Sequence, residues 1–219
     1  MRVLVTAGGT REPIDAVRVI ANTSTGRLGA HLAAAAAAAG HEVLLLAAQS
    51  AERPAEPAGE RPRLRSLPFE SSADLARLLE EHAPRADAVL HAAAVSDYVP
   101  VPVAGKIPSD EPELLLKLVR APKLIDRLRG LCPRGFLVGF KLTSGAGPSA
   151  QLDAAQALLR RARLDLVVVN DAGRTGDEDH EALLVDARGV QGSCRGKAAI
   201  AAALVARLPA PQGHGAATR

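Results

Sequence analysis

Short apolar runs alternate along the chain with longer stretches whose apolar residues recur at helical spacing, the pattern of strands joined by crossover helices. Arg2 to Thr6 read as a first strand, apolar on both faces and closed by the turn "AGGT". "GRLGAHLAAAAAAAG" has the composition of a crossover helix and a glycine stop at Gly40. "HEVLLLAA" reads as a fully buried strand, and a Pro- and Glu-rich surface loop, 51–62, leads to a short strand at "RLRSL". "SSADLARLLEEH" opens on N-cap candidates and runs helical. "ADAVLHAAAVSDY" is a strand whose far end turns polar at Ser96, followed by the Pro-punctuated loop "VPVPVAGKIPSDEPE". Then come a helix with Pro in its first turn ("APKLIDRLRG"), a strand ("GFLVGFKL") and an amphipathic helix ("SAQLDAAQALLRRARL"). "DLVVVND" is a strand ending in Asn170 and Asp171, "HEALLVDARG" a strand and turn, and "CRGKAAIAAALVARL" a final helix.

This alternation predicts a doubly wound α/β fold: a three-layer sandwich with a mostly parallel sheet, Rossmann-like or ribokinase-like. Ligands gather at the C-terminal ends of the strands in such sheets. The 219 residues suit one nucleotide-binding domain over 1–208, with a long loop at about 98–116 and a disordered tail at 209–219.

Composition narrows the function. The chain is 47% hydrophobic with no run near the roughly 18 apolar residues a membrane span needs. "MRVLVTAGG" reads as a strand and not a signal peptide, so a cytoplasmic protein without a membrane anchor is expected. The net charge is +3, but basic residues are scattered and aromatics make up only 2%, which leaves no stacking platform for nucleic acid. Cys132 and Cys194 lie far apart with no CxxC or His/Cys cluster, so neither a disulfide framework nor a zinc site is predicted. Arg greatly outnumbers Lys, so each Lys is informative.

Four polar clusters fall at predicted strand ends: Gly8 to Asp15, Ser96 to Tyr98, Phe140 to Thr143, and Asn170 with Asp171. An ordinary βα turn explains any one of them; their convergence, with a Lys-bearing loop, favours a nucleotide site. A dinucleotide fingerprint would join the first strand directly to its helix and place a carboxylate about 20 residues on. Here a polar stretch separates Gly8-Gly9 from Gly26 and Gly29, and the second strand ends in "LLLAAQS". The helix start "NTSTGRLG" could still hold phosphates through free N–H groups, Ser24, Thr25 and Arg27. Asn22 both donates and accepts, which suits a carboxyl or acyl group, and capping the next helix is its ordinary alternative. Lys106 is a loop cation that could close over phosphates, or simply be solvated.

The blocks "VLVTAGGTREPIDAVRVIANTSTGRLG" (3–29), "AAAVSDY" (92–98), "GKIPS" (105–109), "APKLI" (121–125), "LVGFKL" (137–142) and "DLVVVND" (165–171) together resemble the phosphopantothenate–cysteine ligases of coenzyme A biosynthesis, in their stand-alone bacterial form. The resemblance implies ligation of 4′-phosphopantothenate and L-cysteine through an acyl nucleotidylate, with CTP or ATP as co-substrate and Mg²⁺. It also implies a homodimer and a separate flavin-dependent decarboxylase as pathway neighbour. Carried over by position, Asn22 and Lys106 would be catalytic, and Asn22, Ala93, Ala94 and Asp97 would line the substrate. Gly8, Gly9, Ser24, Gly26, Gly29, Asp97, Lys106, Pro122, Lys123, Leu124, Ile125 and Phe140 would contact the nucleotide. Arg160, Arg161 and Arg163 stand where the family commonly has two Lys spaced four apart, and Arg160 or Arg161 would replace one of them. The competing readings are an NAD(P)-dependent oxidoreductase, which lacks a Tyr-x-x-x-Lys pair because Pro102 follows Tyr98, and a non-catalytic nucleotide sensor.

Overall fold

β1 (Arg2–Ala7) lies near the middle of the sheet because almost every side chain in it is buried, which only a strand covered on both faces can satisfy. In the computed structural model, which describes residues 1–54, 63–110, 112–174 and 181–209, it pairs in parallel with β4 (Glu42–Ala48) and β6 (Ala88–His91). The eight-stranded sheet runs β12-β11-β10-β9-β6-β1-β4-β5, where β5 is Leu64–Phe69, β9 Phe136–Thr143, β10 Leu166–Asp171, β11 Glu181–Asp186 and β12 Gly189–Arg195. The stretch from β5 to β10 is parallel, and β11 and β12 extend it antiparallel. Helices α1 (Arg27–Ala38) and α5 (Lys197–Val205) pack together; α2 (Ser72–His82) meets α3 (Leu124–Leu131), which meets α4 (Pro148–Ala162). The fold is the three-layer Rossmann-type sandwich that the alternating pattern predicts.

Local chemistry explains the element ends. Ser71 caps α2 by accepting from the Asp74 N–H while Asp74 accepts from the Ser71 N–H, a complete capping box. The alanine run of α1 buries Leu32, Ala33 and Ala36, and its small side chains let α5 approach closely. The N-terminal pole of the sheet carries two carboxylates: Asp87, just before β6, accepts from the Arg2 N–H of β1, and Asp165, just before β10, accepts from the Leu137 N–H of β9, each at 2.7 Å.

Several elements differ from the sequence expectation. β6 stops at His91, and Ala92 to Asp97 continue as a loop tied to the first turn. α3 starts after Lys123, so Pro122 lies outside it. The segment read as a polar stretch contains the hairpin β2 (Arg11–Pro13) and β3 (Val19–Ala21), and the long loop opens with β7 (Tyr98–Pro100), which pairs with β8 (Leu118–Arg120) just past the loop's end. β12 has no apolar alternation to announce it and is a strand because the turn at Gly189, with φ of 116°, folds it onto β11. The tail expected to be disordered lies, from residue 210, outside the described residues. Among the described residues no helix is long and apolar enough to cross a membrane.

Candidate functional site

The chain runs outward from β1 to β4 and β5 and then returns to place β6 on the other side of β1, so the strand order reverses between β1 and β6. Loops leaving the two strands diverge at such a point and open a crevice. Here the crevice is bridged by backbone: Ala94 N–H donates to the Gly8 carbonyl at 2.8 Å and Thr10 N–H to the Ala94 carbonyl at 3.1 Å.

Asn22, just past β3, closes this junction. Its Nδ2 donates to the Ala94 carbonyl at 2.9 Å and to Ser96 Oγ at 3.1 Å, while Thr10 Oγ1 and Ser96 Oγ are 3.0 Å apart. A carbonyl only accepts, so the Ala94 contact fixes the amide orientation and leaves Asn22 Oδ1 without a hydrogen-bond partner among the described residues.

Beside the junction, at the ends of β6 and β9, lies a cleft of about 390 Å³. It is lined by the expected Ala93, Ala94, Asp97, Pro122, Lys123, Leu124, Ile125, Phe140 and Arg161, together with His91, Ser96 and Lys141. Lys123 Nζ pairs with Asp97 Oδ1, and Arg161 Nε donates to Asp126 at 2.9 Å. Asp97 and Asp126 balance Lys123 and Arg161, and Lys141 leaves the cleft with an excess of positive charge that favours anions.

Other expected residues lie elsewhere. Lys106 is exposed on its loop and does not line the cleft. That loop is held to the β2–β3 hairpin, where Ala16 N–H donates to the Gly105 carbonyl at 3.0 Å and Ile107 N–H to Asp15 at 3.0 Å. Arg160 is exposed on α4, outside the cleft lining, and Ser24 is half-buried before α1. Gly8 and Gly26 have positive φ, and a Cβ on either would lie 2.6 Å from an alanine Cβ, of Ala48 and Ala51 respectively. On Gly29 it would lie 2.3 Å from the Ala7 Cβ, and on Gly9 it would meet Asn22. Close packing therefore accounts for these glycines. Asp171 accepts from the N–H groups of Gly145, Ala146 and Gly173 and from the Thr143 hydroxyl, so it holds its own loop.

The sequence reading passed over His91 and named Asp15 only as the end of a polar cluster, without its role. His91 sits in an apolar run and reads as core; it is 5% exposed yet lines the cleft, and burial pushes its pKa down to about 4. Asp15, also buried, has its carboxyl held below the ordinary range, first by the Val17 N–H, with the Ile107 and Arg18 N–H groups and the Arg18 charge adding to it. Only its proximity to a loop some ninety residues away reveals its role.

Comparison with known proteins gives the context. A family model described as "DNA/pantothenate metabolism flavoprotein C-terminal domain" matches residues 1–210. The "Coenzyme A biosynthesis bifunctional protein CoaBC" of Thermococcus kodakarensis is 38% identical over 84% of this chain and 44% of its own length. The chain thus spans under half the length of the curated relatives it matches. A structure titled the DNA/Pantothenate Metabolism Flavoprotein from Streptococcus pneumoniae superposes with a TM-score of 0.87 at 31% identity, covering 94% of this chain and 97% of that one. A Cab2 mutant, H337A, in complex with phosphopantothenate-cysteine shares the fold, with a TM-score of 0.78 at 22% identity over 94% of this chain and 85% of the other.

These findings correct the resemblance drawn from the sequence. It named a stand-alone ligase, whereas the matching family is described as a flavoprotein's C-terminal domain and curated relatives such as that of Thermococcus kodakarensis are bifunctional. The ligase activity, its CTP or ATP and Mg²⁺, and the partners given with it therefore do not carry over. The description implies a flavin instead, whose three-ring system needs a flat and largely apolar slot. Phe140 is the one Phe, Tyr or Trp side chain lining the cleft, and Asp97, Lys123, Lys141 and Arg161 put four charges on its walls. The glycines of the first turn are filled against Ala48, Ala51 and Ala7. The lining of this cleft and the filled first turn do not fit a flavin. With the match spanning nearly the whole sequence, the chain belongs to the family of DNA/pantothenate metabolism flavoprotein C-terminal domains.

Proposed function

We propose that this chain binds phosphopantothenoylcysteine, the conjugate of phosphorylated pantothenate and cysteine, in the cleft at the ends of β6 and β9. The observation that carries this reading is the convergence of Lys123, Lys141 and Arg161 on a cleft whose other wall is backbone and small side chains, Ala93 to Ser96. A flexible chain with a phosphate at one end and a carboxylate at the other needs cations at its ends and a narrow channel between them. Asn22 lies at the junction beside the cleft and outside its lining; with Nδ2 spent on the Ala94 carbonyl and Ser96 Oγ, its Oδ1 supports the reading as an acceptor for an amide N–H at the cleft's edge. The Cab2 complex supplies the ligand class, and relatives named for coenzyme A biosynthesis are in keeping with it. The ligand is common to every reaction that makes or consumes the conjugate.

Calorimetric titration of the purified chain with phosphopantothenoylcysteine is the test. Saturable binding that weakens as salt is raised is expected, because the contacts are charge pairs. Absence of binding overturns the reading, and saturable binding of FMN displaced by the conjugate would assign the cleft to a flavin.

A further inference from the structure

His91 is the one buried titratable side chain lining the cleft, and its surroundings fix where its proton sits. Thr6 Oγ1 accepts a hydrogen bond from the Ala93 N–H at 3.0 Å and lies 3.0 Å from His91 Nδ1. A threonine hydroxyl has one proton to give. Nδ1 is the acceptor within reach among the described residues, so Thr6 donates to it. Nδ1 is then unprotonated, and the neutral ring carries its proton on Nε2. Among the described residues no protein group pairs with Nε2, which is not sealed from solvent either.

We propose that His91 is a ligand-contacting residue: its Nε2–H, at the floor of the cleft, donates a hydrogen bond to an oxygen of the bound conjugate. The proposal rests on the reading of the cleft as a phosphopantothenoylcysteine site and adds a donor that discriminates among ligands. A cation attracts any anion at long range, whereas an uncharged donor at a fixed position rewards only an oxygen placed against it. The ring shares the cleft with the charges of Asp97, Lys123, Lys141 and Arg161, and burial keeps it neutral among them. It is therefore a donor of constant charge across the physiological range.

Nitrogen-15 NMR of the imidazole rings in the wild-type chain tests the donor directly. The expected signature is an unprotonated Nδ1 and a protonated Nε2, retained down to about pH 5, with the Nε2 resonance shifting on addition of phosphopantothenoylcysteine. His91→Gln, which retains an N–H donor, should hold affinity within a few-fold, whereas His91→Leu should lose about tenfold. A proton on Nδ1, or an Nε2 resonance unmoved at saturating conjugate, overturns the proposal even if His91→Leu does not fold. If the conjugate fails to bind wild type, the ligand reading fails, and inorganic phosphate becomes the probe: an Nε2 shift then supports His91 as a donor and no shift overturns it.

Discussion

The Asp15 carboxylate accepts a 3.0 Å hydrogen bond from the backbone N–H of Ile107, so a side chain in the β2–β3 turn holds the residue next to Lys106. Arg18 bonds both to Asp15 and, at 3.2 Å, to the Ile107 carbonyl, and Gly105 is held by Ala16. Lys106 is thus fastened on both sides. Asp15→Asn replaces one acceptor oxygen by a donor facing N–H groups, and trypsin cleavage after Lys106 should rise about tenfold, since cleavage tracks the open population. Because the folded-state pKa of Asp15 is lowered, its contribution is complete above the ordinary carboxylate range and is lost only as pH falls below it. Wild-type cleavage should therefore be flat from neutral pH to about pH 5.

His91 imposes a different pH dependence. Its pKa falls from 6.5 unfolded to about 4 folded, so the unfolded chain takes up the proton first. The stability it contributes is present above pH 6.5 and declines as pH falls to about 4, by roughly 3 kcal/mol in all. Urea unfolding at several pH values should show this slope, and His91→Gln should remove most of it. The lowered carboxylates Asp15, Asp74 and Asp171 act below that window, and His41, with the same direction of shift, is only half-buried.

Two glycines should respond oppositely to alanine. Gly29→Ala pushes a Cβ to 2.3 Å from that of Ala7 and drives α1 away from β1, costing about 2–3 kcal/mol in chemical denaturation. Gly130→Ala, within α3 and with nothing inside 4 Å, should stabilise by about 1 kcal/mol or slightly less.

Arg161→Ala separates ligand binding from folding. Its pair with Asp126 is half exposed and worth under about 1 kcal/mol, so the melting temperature should hardly move. Affinity for phosphopantothenoylcysteine should fall about 10- to 100-fold if the guanidinium meets one of its anionic ends. An unchanged affinity would remove Arg161 from the site.

Asn22→Asp sets a carboxylate against the Ala94 carbonyl in place of the Nδ2 donor. A loss of about 2 kcal/mol of stability is expected in urea unfolding, together with weaker conjugate binding.

Much of the fold was legible because buried parallel strands and amphipathic helices announce themselves by apolar runs, as at "VLVT" and "VVVN". β12 was hidden because its neighbour makes it a strand and its own residues do not. In the site, Asp97 and Phe140 were visible in clusters at strand ends, Ala93 and Lys123 were named only through the resemblance, and the structure gathers all four in one cleft. His91 was invisible because a polar residue in an apolar run looks like core until its neighbour Thr6 and the cavity beside it are known. Gly8, Gly26 and Gly29 raised the expectation of a phosphate cradle, and the structure shows a close-packing need at each of them, which looks the same in sequence as a glycine left open for a ligand.

The two aspartates at the far pole, Asp87 and Asp165, bear on how the sheet finds its alignment. Near-uniform apolar strands such as β1, β6 and β10 offer little to distinguish the correct pairing from one displaced by two residues, because such a slip keeps every side chain on its own face. Each carboxylate accepts from one particular N–H of the adjacent strand. A displaced pairing would cost each carboxylate that backbone donor, leaving Asp165 to Arg129 and Asp87 to the Arg2 guanidinium, so these residues serve as alignment marks for a set of strands whose apolar content alone would tolerate several registers.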